Sequence, residues 1–401
     1  MILKSELKLL INSFDQRLKA YSFINSRELV EVLQAEKSEL ILLTGLKRTG
    51  KTSVLFQYAN KFENDVLYLN FEHPGLYEFD RNDFFKLDEI IEQKNVKILL
   101  FDCITAIKGW SFYIKQKLDE GFKIVLTTPS AQVLNSEEGA GLTGLYISRE
   151  LLPLSFTEYC NFYAEEKNEN TTLKYIEDGG YPEKCKQNDE YLSQLFDDIV
   201  VREIGINRGV RDLKSLKRLS LYLLRNVGEM ITANQLKGKL GIKTTTTVVD
   251  YLNYLEAGFL MHYVPKFSYS LRKQAINPRK VYIADTGFVS AAIFSVADKL
   301  DQLLENLVYL HLKRQNNEVY YFAEEGNTCD FIAFGKDKPQ EAIQVCAHLE
   351  QDKLEQEVKG LTEAMDYFEF QEGTVVTHNQ TDTFIRDNKT IQVIPFHQFA
   401  G

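Results

Sequence analysis

A lysine and a hydroxyl residue directly behind a glycine turn are the most chemically pointed feature of this chain. In "ELILLTGLKRTGKTSVLFQYANKF" the apolar run from Leu40 to Leu43 ends at Gly45, and Gly50, Lys51, Thr52 and Ser53 follow after four intervening residues. From Val54 onward apolar residues recur at helical spacing. This is the P-loop spacing in its strand-to-helix context. Glycines let successive N–H groups turn toward a phosphate, and the helix N-terminus adds positive potential. Lys51 is then expected to reach the outer phosphates of ATP and Thr52 to ligate Mg2+, with Arg48, Thr49 and Ser53 completing the loop. The bland alternative is a glycine turn with an incidental lysine.

The second pointed stretch, "KILLFDCITAIKGW", climbs through apolar residues to Asp102 and then sets Cys103 beside it. An acid at the carboxyl end of a strand lies where open α/β sheets bind ligands, which makes Asp102 the natural partner of Thr52 on the metal. The apolar segments Asp65 to His73, Lys97 to Cys103 and Phe122 to Thr128 alternate with helical or polar stretches, the pattern of a mostly parallel sheet covered on both faces. Glu72 ends the first of these and is a candidate water-activating base, against the reading of a solvated acid at a strand end. Thr127 and Thr128 end the last. Thr128 is the candidate γ-phosphate sensor, against the reading of a capped turn before Pro129.

These elements need a sizeable scaffold. At 401 residues, two or three domains are expected. A composition 44% hydrophobic and 26% charged fits an ordinary folded protein rather than a disordered one. The N-terminal apolar run is broken by Lys4, Glu6, Lys8 and Asp15, and no run is long enough to span a membrane, so a cytoplasmic protein without membrane contact is expected. Five scattered cysteines, Cys103, Cys160, Cys185, Cys329 and Cys346, read as reduced thiols. Net charge is −10, but residues 206–280 carry 14 Lys or Arg against 4 Asp or Glu, so a basic segment of +10 interrupts a remainder of −20.

Taken in order, "GLKRTGKTS", "LFDCITAIKGW", "FKIVLTTPS", "LLPLSFTEY", "GGYPE", "PRKVYIADTGF", "LENLVYLHLKR", "CDF", "IQVC" and the terminal "VIP" resemble a family of AAA+ type P-loop ATPases over nearly the whole chain. In that family the P-loop domain is followed by a winged helix and a C-terminal restriction-endonuclease-like domain. The resemblance implies an α/β fold class: a P-loop NTPase with a parallel sheet, a helical lid, a winged helix and an α/β nuclease-like domain. The expected boundaries are 1–205, 206–280 and 281–401. Two departures point to slow hydrolysis. Cys103 stands where the family usually has glutamate, and Leu145 where it often has a candidate arginine finger.

The lid begins at Leu151, and Arg202 could approach the nucleotide from it, although a surface salt bridge is the plainer role. Further on, Thr232 suits a helix N-cap, Gly241 a turn, and Val248, Leu252 and Leu255 one face of a second helix, which is helix-turn-helix spacing. The following wing carries Lys266, Arg272, Lys273, Arg279 and Lys280 as candidates for phosphate contact with DNA. A protein-docking role is the alternative, because "TTTT" offers nothing able to pair bidentately with a base edge.

The nuclease-like resemblance places metal-binding acids at Glu305 and Asp330, while the third motif falls on Gln344 and Cys346. Glutamine is a weak metal ligand and cysteine cannot replace the missing lysine, and Glu341 faces the opposite side of the strand, so the site reads as catalytically degraded. The expected function is a Mg-ATP-binding switch or assembly factor with slow or absent hydrolysis and an unidentified protein partner. The alternatives are an ATPase coupled to DNA through the basic segment and an interaction protein with a vestigial P-loop. Losing the arginine at Leu145 weakens any inference of a ring, and the oligomeric state is left open.

Overall fold

Strands such as "LILLT" and "ILLFD", apolar up to their last residue, can be buried only if both faces of their sheet are covered. In a computed structural model, which describes all residues except 23–24, 63–64, 129–136, 183–188, 293–296, 316–317, 325 and 336–337, both are buried throughout. Cys185 lies outside the described residues. The chain divides into two units, Met1–Leu152 and Pro153–Gly401.

The first unit runs α1 (Lys4–Ala20), α2 (Glu28–Ala35), β1 (Leu40–Thr44), α3 (Lys51–Ala59), β2 (Val66–Asn70), α4 (Phe84–Lys94), β3 (Ile98–Asp102), α5 (Trp110–Asp119), β4 (Lys123–Thr127), α6 (Glu137–Ala140) and β5 (Tyr146–Glu150). Its five strands form one parallel sheet in the order β2-β3-β4-β1-β5. Register aligns Asn70 with Asp102 and Leu43 with Thr127, so the carboxyl ends of β2, β3, β4 and β1 lie side by side. Helix α1 buries Leu7, Ile11, Phe14 and Leu18, a stripe at helical spacing, and Phe14 meets Tyr68 edge to face at 5.6 Å.

The second unit begins with α7 (Phe156–Tyr163), whose capping box pairs the Glu158 N–H with Ser155 Oγ at 3.0 Å and the Ser155 N–H with Glu158 Oε2 at 2.8 Å. There follow α8 (Glu169–Asp178), α9 (Asp189–Asp198), a π-helical turn Ile199–Ile206, and α10 (Leu213–Arg225). Next come β6 (Met230–Ile231), α11 (Ala233–Leu240), α12 (Thr245–Ala257), β7 (Met261–Pro265), α13 (Leu271–Ile276) and β8 (Arg279–Ile283). Thr232 and Thr244 cap α11 and α12, and left-handed Gly241 (φ 60°) closes α11. The three short strands form an antiparallel sheet, β6-β8-β7, and the connection between β7 and β8 contains a short helix rather than continuous ribbon.

The chain ends with α14 (Thr286–Ser290), α15 (Leu300–Arg314), β9 (Glu318–Glu324), β10 (Asn327–Gly335), β11 (Lys338–Val345), α16 (Gln351–Tyr367), β12 (Glu372–Thr377), β13 (Asp382–Arg386), β14 (Lys389–Pro395) and α17 (Phe396–Phe399). The six strands form a mixed sheet, β13-β14-β12-β11-β10-β9, in which β11, β12 and β14 run parallel. Val358, Leu361 and Met365 of α16 pack on Ile332, Ala342, Val375 and Ile391 of the sheet. No described helix is long and apolar enough to cross a membrane.

Candidate nucleotide site and a buried acid–lysine cluster

The loop after β1 folds as its glycines require. Gly45 has φ 130°, and a Cβ there would lie 2.4 Å from the Leu151 carbonyl oxygen; Gly50, at φ 98°, opens α3. Arg48 also takes a left-handed backbone, φ 66°. Inside this turn the Lys51 ammonium donates to the Gly45 and Leu46 carbonyls, each at 2.8 Å, so the loop's own backbone holds the cation. Burial pulls its pKa down to about 8, against the opposing charges of Asp102 and Glu72. Thr49 Oγ1 donates to the Leu46 carbonyl at 2.9 Å and ties the loop across its base.

Asp102, at the end of β3, is 4% exposed and accepts three hydroxyls. Thr52 Oγ1 donates to Oδ2 at 2.6 Å, Tyr68 to the same oxygen at 3.1 Å, and Thr127 to Oδ1. Thr52 and Asp102 together form a hard-oxygen pair suited to Mg2+. Thr127 rather than Thr128 reaches this carboxylate, because successive strand residues face opposite sides; the Thr128 N–H pairs with the Leu43 carbonyl. Tyr68 gave no sign in the sequence, where it reads as one more core residue of β2.

Cys103 sits beside this acid in a left-handed conformation, φ 57°, and its N–H donates to Thr127 Oγ1 at 3.1 Å. Burial, reinforced by Asp102 and Glu72, pushes its thiol up to about 12, so at neutral pH it is protonated and cannot act as a base. Glu72 lies two residues beyond Asn70, the register partner of Asp102; it is exposed, and its charge is felt by both Lys51 and Cys103. Leu145 is 45% exposed.

A residue unmarked by any motif braces the loop from beneath. Arg27, 7% exposed, donates to the Thr49 carbonyl at 2.7 Å and the Leu152 carbonyl at 2.8 Å, while its own N–H pairs with Gln57 Oε1 at 2.8 Å. Ser53 is held similarly, accepting from the Tyr21 hydroxyl at 2.9 Å. Charged donors to buried acceptors contribute about 1.5–3 kcal/mol each. Arg27→Ala is therefore expected to weaken ATP binding roughly tenfold by calorimetry, and Arg27→Lys to recover little, because an ammonium lacks the guanidinium fork. Wild-type affinity in both variants would show that the loop holds its shape without Arg27.

In the second unit Glu305, Asp330 and Gln344 do come together, around a residue expected elsewhere. Lys280 was placed on a solvated wing; it is instead 5% exposed and donates to Asp330 Oδ1 at 2.6 Å and Glu305 Oε1 at 2.8 Å. Strand alternation explains the correction: β8 turns Lys280 and Tyr282 to the same side, and the Tyr282 hydroxyl donates to Glu305 Oε1 at 2.5 Å. Asp330 Oδ2 accepts from the Val345 N–H at 2.9 Å, and its own N–H donates to Gln344 Oε1 at 3.2 Å. Gln344 Nε2 is turned to Glu357 at 2.8 Å. The two acids hold Lys280 firmly protonated, while burial leaves Glu305 a weaker acid than an ordinary glutamate.

The other wing cations are scattered. Arg272 and Lys273 are exposed on α13, whereas Lys266 and Arg279 are half-buried. Arg202 pairs with Asp198 one helical turn away at 3.2 Å.

Residues 37–160 match the family model of an AAA domain, and residues 170–299 that of a domain of unknown function, DUF8612. An uncharacterized protein of Methanocaldococcus jannaschii is 29% identical over 395 residues, spanning 90% of this chain and 88% of its own length. An uncharacterized protein of Haemophilus influenzae is 28% identical over 338 residues, 77% of this chain and 83% of its own. Among solved structures, the Walker-type ATPase of Pyrococcus abyssi shares 14% identity at a TM-score of 0.44, covering 67% of this chain and 96% of that one. The RuvB Holliday junction branch migration motor of Thermotoga maritima shares 14% at 0.28, covering 63% and 89%.

Proposed function

We propose that the first unit binds Mg-ATP and that occupancy, rather than rapid turnover, is its working signal, so that the protein acts as a nucleotide-dependent switch or assembly factor. The observation that carries this reading is the pairing of Thr52 with Asp102 at 2.6 Å, with a thiol, Cys103, rather than a carboxylate as the next residue. Mg2+, when bound, would neutralise phosphate charge between that hydroxyl and carboxylate. Lys51 would leave its two loop carbonyls for the outer phosphates, and the N–H groups opening α3 would face them.

The hydrolytic side of the site is weaker. Attack by water needs an acceptor for its proton, and Cys103 is not one. Glu72, exposed two residues beyond β2, the strand beside β3, is the carboxylate we assign to that role. An exposed acid is a slack positioner, which fits slow release and a protein partner that resets the switch. Within Pro153–Gly401 we assign residues 206–280 to a winged helix and 281–401 to a nuclease-like scaffold whose acids are neutralised by Lys280. A DNA-coupled ATPase would have to use Arg272 and Lys273 on the wing, because Lys280 is committed inside.

A single-turnover assay with γ-labelled ATP and excess protein tests the reading. The expected result is retained nucleotide with phosphate release slower than nucleotide binding by orders of magnitude. Cys103→Glu is expected to speed release about tenfold and Glu72→Gln to slow it further. Release within seconds by the wild type would sink the switch.

A further inference from the structure

The exposed cations of the second unit are not confined to the wing. Residues 206–243 carry nine Lys or Arg against two acids in a chain whose net charge is −10. Helix α10 concentrates them. A cavity of about 480 Å3 runs along it, with exposed Lys214, Arg218 and Arg225 at its rim and the half-buried Leu221 and Tyr222 and buried Leu240 at its floor. Lys239 crosses from α11 and donates to the Tyr222 hydroxyl at 2.9 Å, its ammonium 5.5 Å from the ring centre. Lys217, also on the wall, is partly neutralised by Asp197 at 2.6 Å.

We propose that this groove binds single-stranded nucleic acid, with phosphates on the α10 cations and an unstacked base on the apolar floor against Tyr222. Three features favour that occupant. Apolar floor and cationic rim together match a flat base joined to phosphates, the pairing that single-strand grooves use. From Lys214 to Arg225 the cations extend along roughly 16 Å of helix, further than one nucleotide's phosphates reach. Duplex reading is disfavoured, because α12, the helix that would enter a major groove, has Asp250 and Glu256 and no Lys or Arg between Thr245 and Ala257. All the residues named in the lining lie between Lys214 and Leu240, within the second unit.

Fluorescence anisotropy of labelled dT12 with the full chain, from 50 to 200 mM salt, is the test. Binding is expected that weakens as salt rises. The triple variant Lys214→Glu, Arg218→Glu, Arg225→Glu should bind at least a hundredfold more weakly, and the milder glutamine triple should flatten the log–log salt slope by about 2, at about 0.7 per phosphate contact. Tyr222→Leu, which keeps the floor apolar, should weaken binding about tenfold by removing the stacking surface. No binding by the wild type would overturn the proposal. So would loss on Arg272→Glu, Lys273→Glu with the α10 triple unaffected, a tenfold preference for duplex over dT12, or equal binding of mononucleotide in a Lys51→Ala background.

Discussion

Replacing Lys280 with alanine is expected to destabilise the protein by about 3–5 kcal/mol, because the buried carboxylates of Glu305 and Asp330 would lose their shared cation. At the usual two to four degrees per kcal/mol for a unit of this size, the melting transition should fall by roughly 6–20 °C. Two controls separate charge from volume. Lys280→Met alone fills the space and should lose nearly as much, whereas Lys280→Met with Glu305→Gln and Asp330→Asn should recover most of the loss, since neutral groups can use Tyr282 and the backbone.

The pH dependence has a definite sign. Without the ammonium, buried Glu305 becomes still harder to ionise in the folded state than in the unfolded one, so the folded state binds more protons and the deficit grows as pH rises above the ordinary carboxylate range. A Lys280→Ala variant that melts like wild type at pH 8 would show that the cluster contributes nothing to the fold.

What could be read from the sequence was whatever one phosphate or one strand end fixes by itself. The interval from Gly45 to Thr52 is set by loop geometry around a phosphate, and Asp102 by the end of an apolar run. Placing Glu72 beside that strand needed the sheet order, which sets β2 against β3. Residues whose role lies in a distant partner stayed hidden. Arg27 reaches backbone carbonyls 22 and 125 residues away, and carbonyls leave no mark in side-chain pattern. Tyr68 is one apolar-looking residue among several in its strand. Lys280 was grouped with Arg279 as a basic pair, although period-two alternation already sends neighbours to opposite faces. The charge excess of residues 206–280 was visible, but only the packing of α10 and α11 shows that Lys214, Arg218 and Arg225 stand exposed along one groove.

Lys51→Ala is expected to weaken Mg-ATP binding at least a hundredfold. Two charge-assisted bonds to phosphate at about 1.5 kcal/mol each correspond to that factor. The variant should not be less stable than the empty wild type. Lys51 is buried with a pKa of about 8, below its ordinary 10.5, so the folded state holds this proton more weakly than the unfolded state. That cost is fully present below pH 8 and fades as pH rises toward 10.5; alanine removes it. Loss of binding with an unchanged or slightly raised melting temperature therefore separates a lost phosphate ligand from a lost fold. Above pH 8 the empty site holds a neutral amine, and phosphate must draw a proton back onto it, so wild-type affinity should fall up to tenfold per pH unit. Calorimetry in two buffers of different ionisation enthalpy should register that proton uptake at pH 9 and none at pH 6.5. Uptake that persisted in Lys51→Ala, or an affinity that did not change, would move the phosphate site away from this loop.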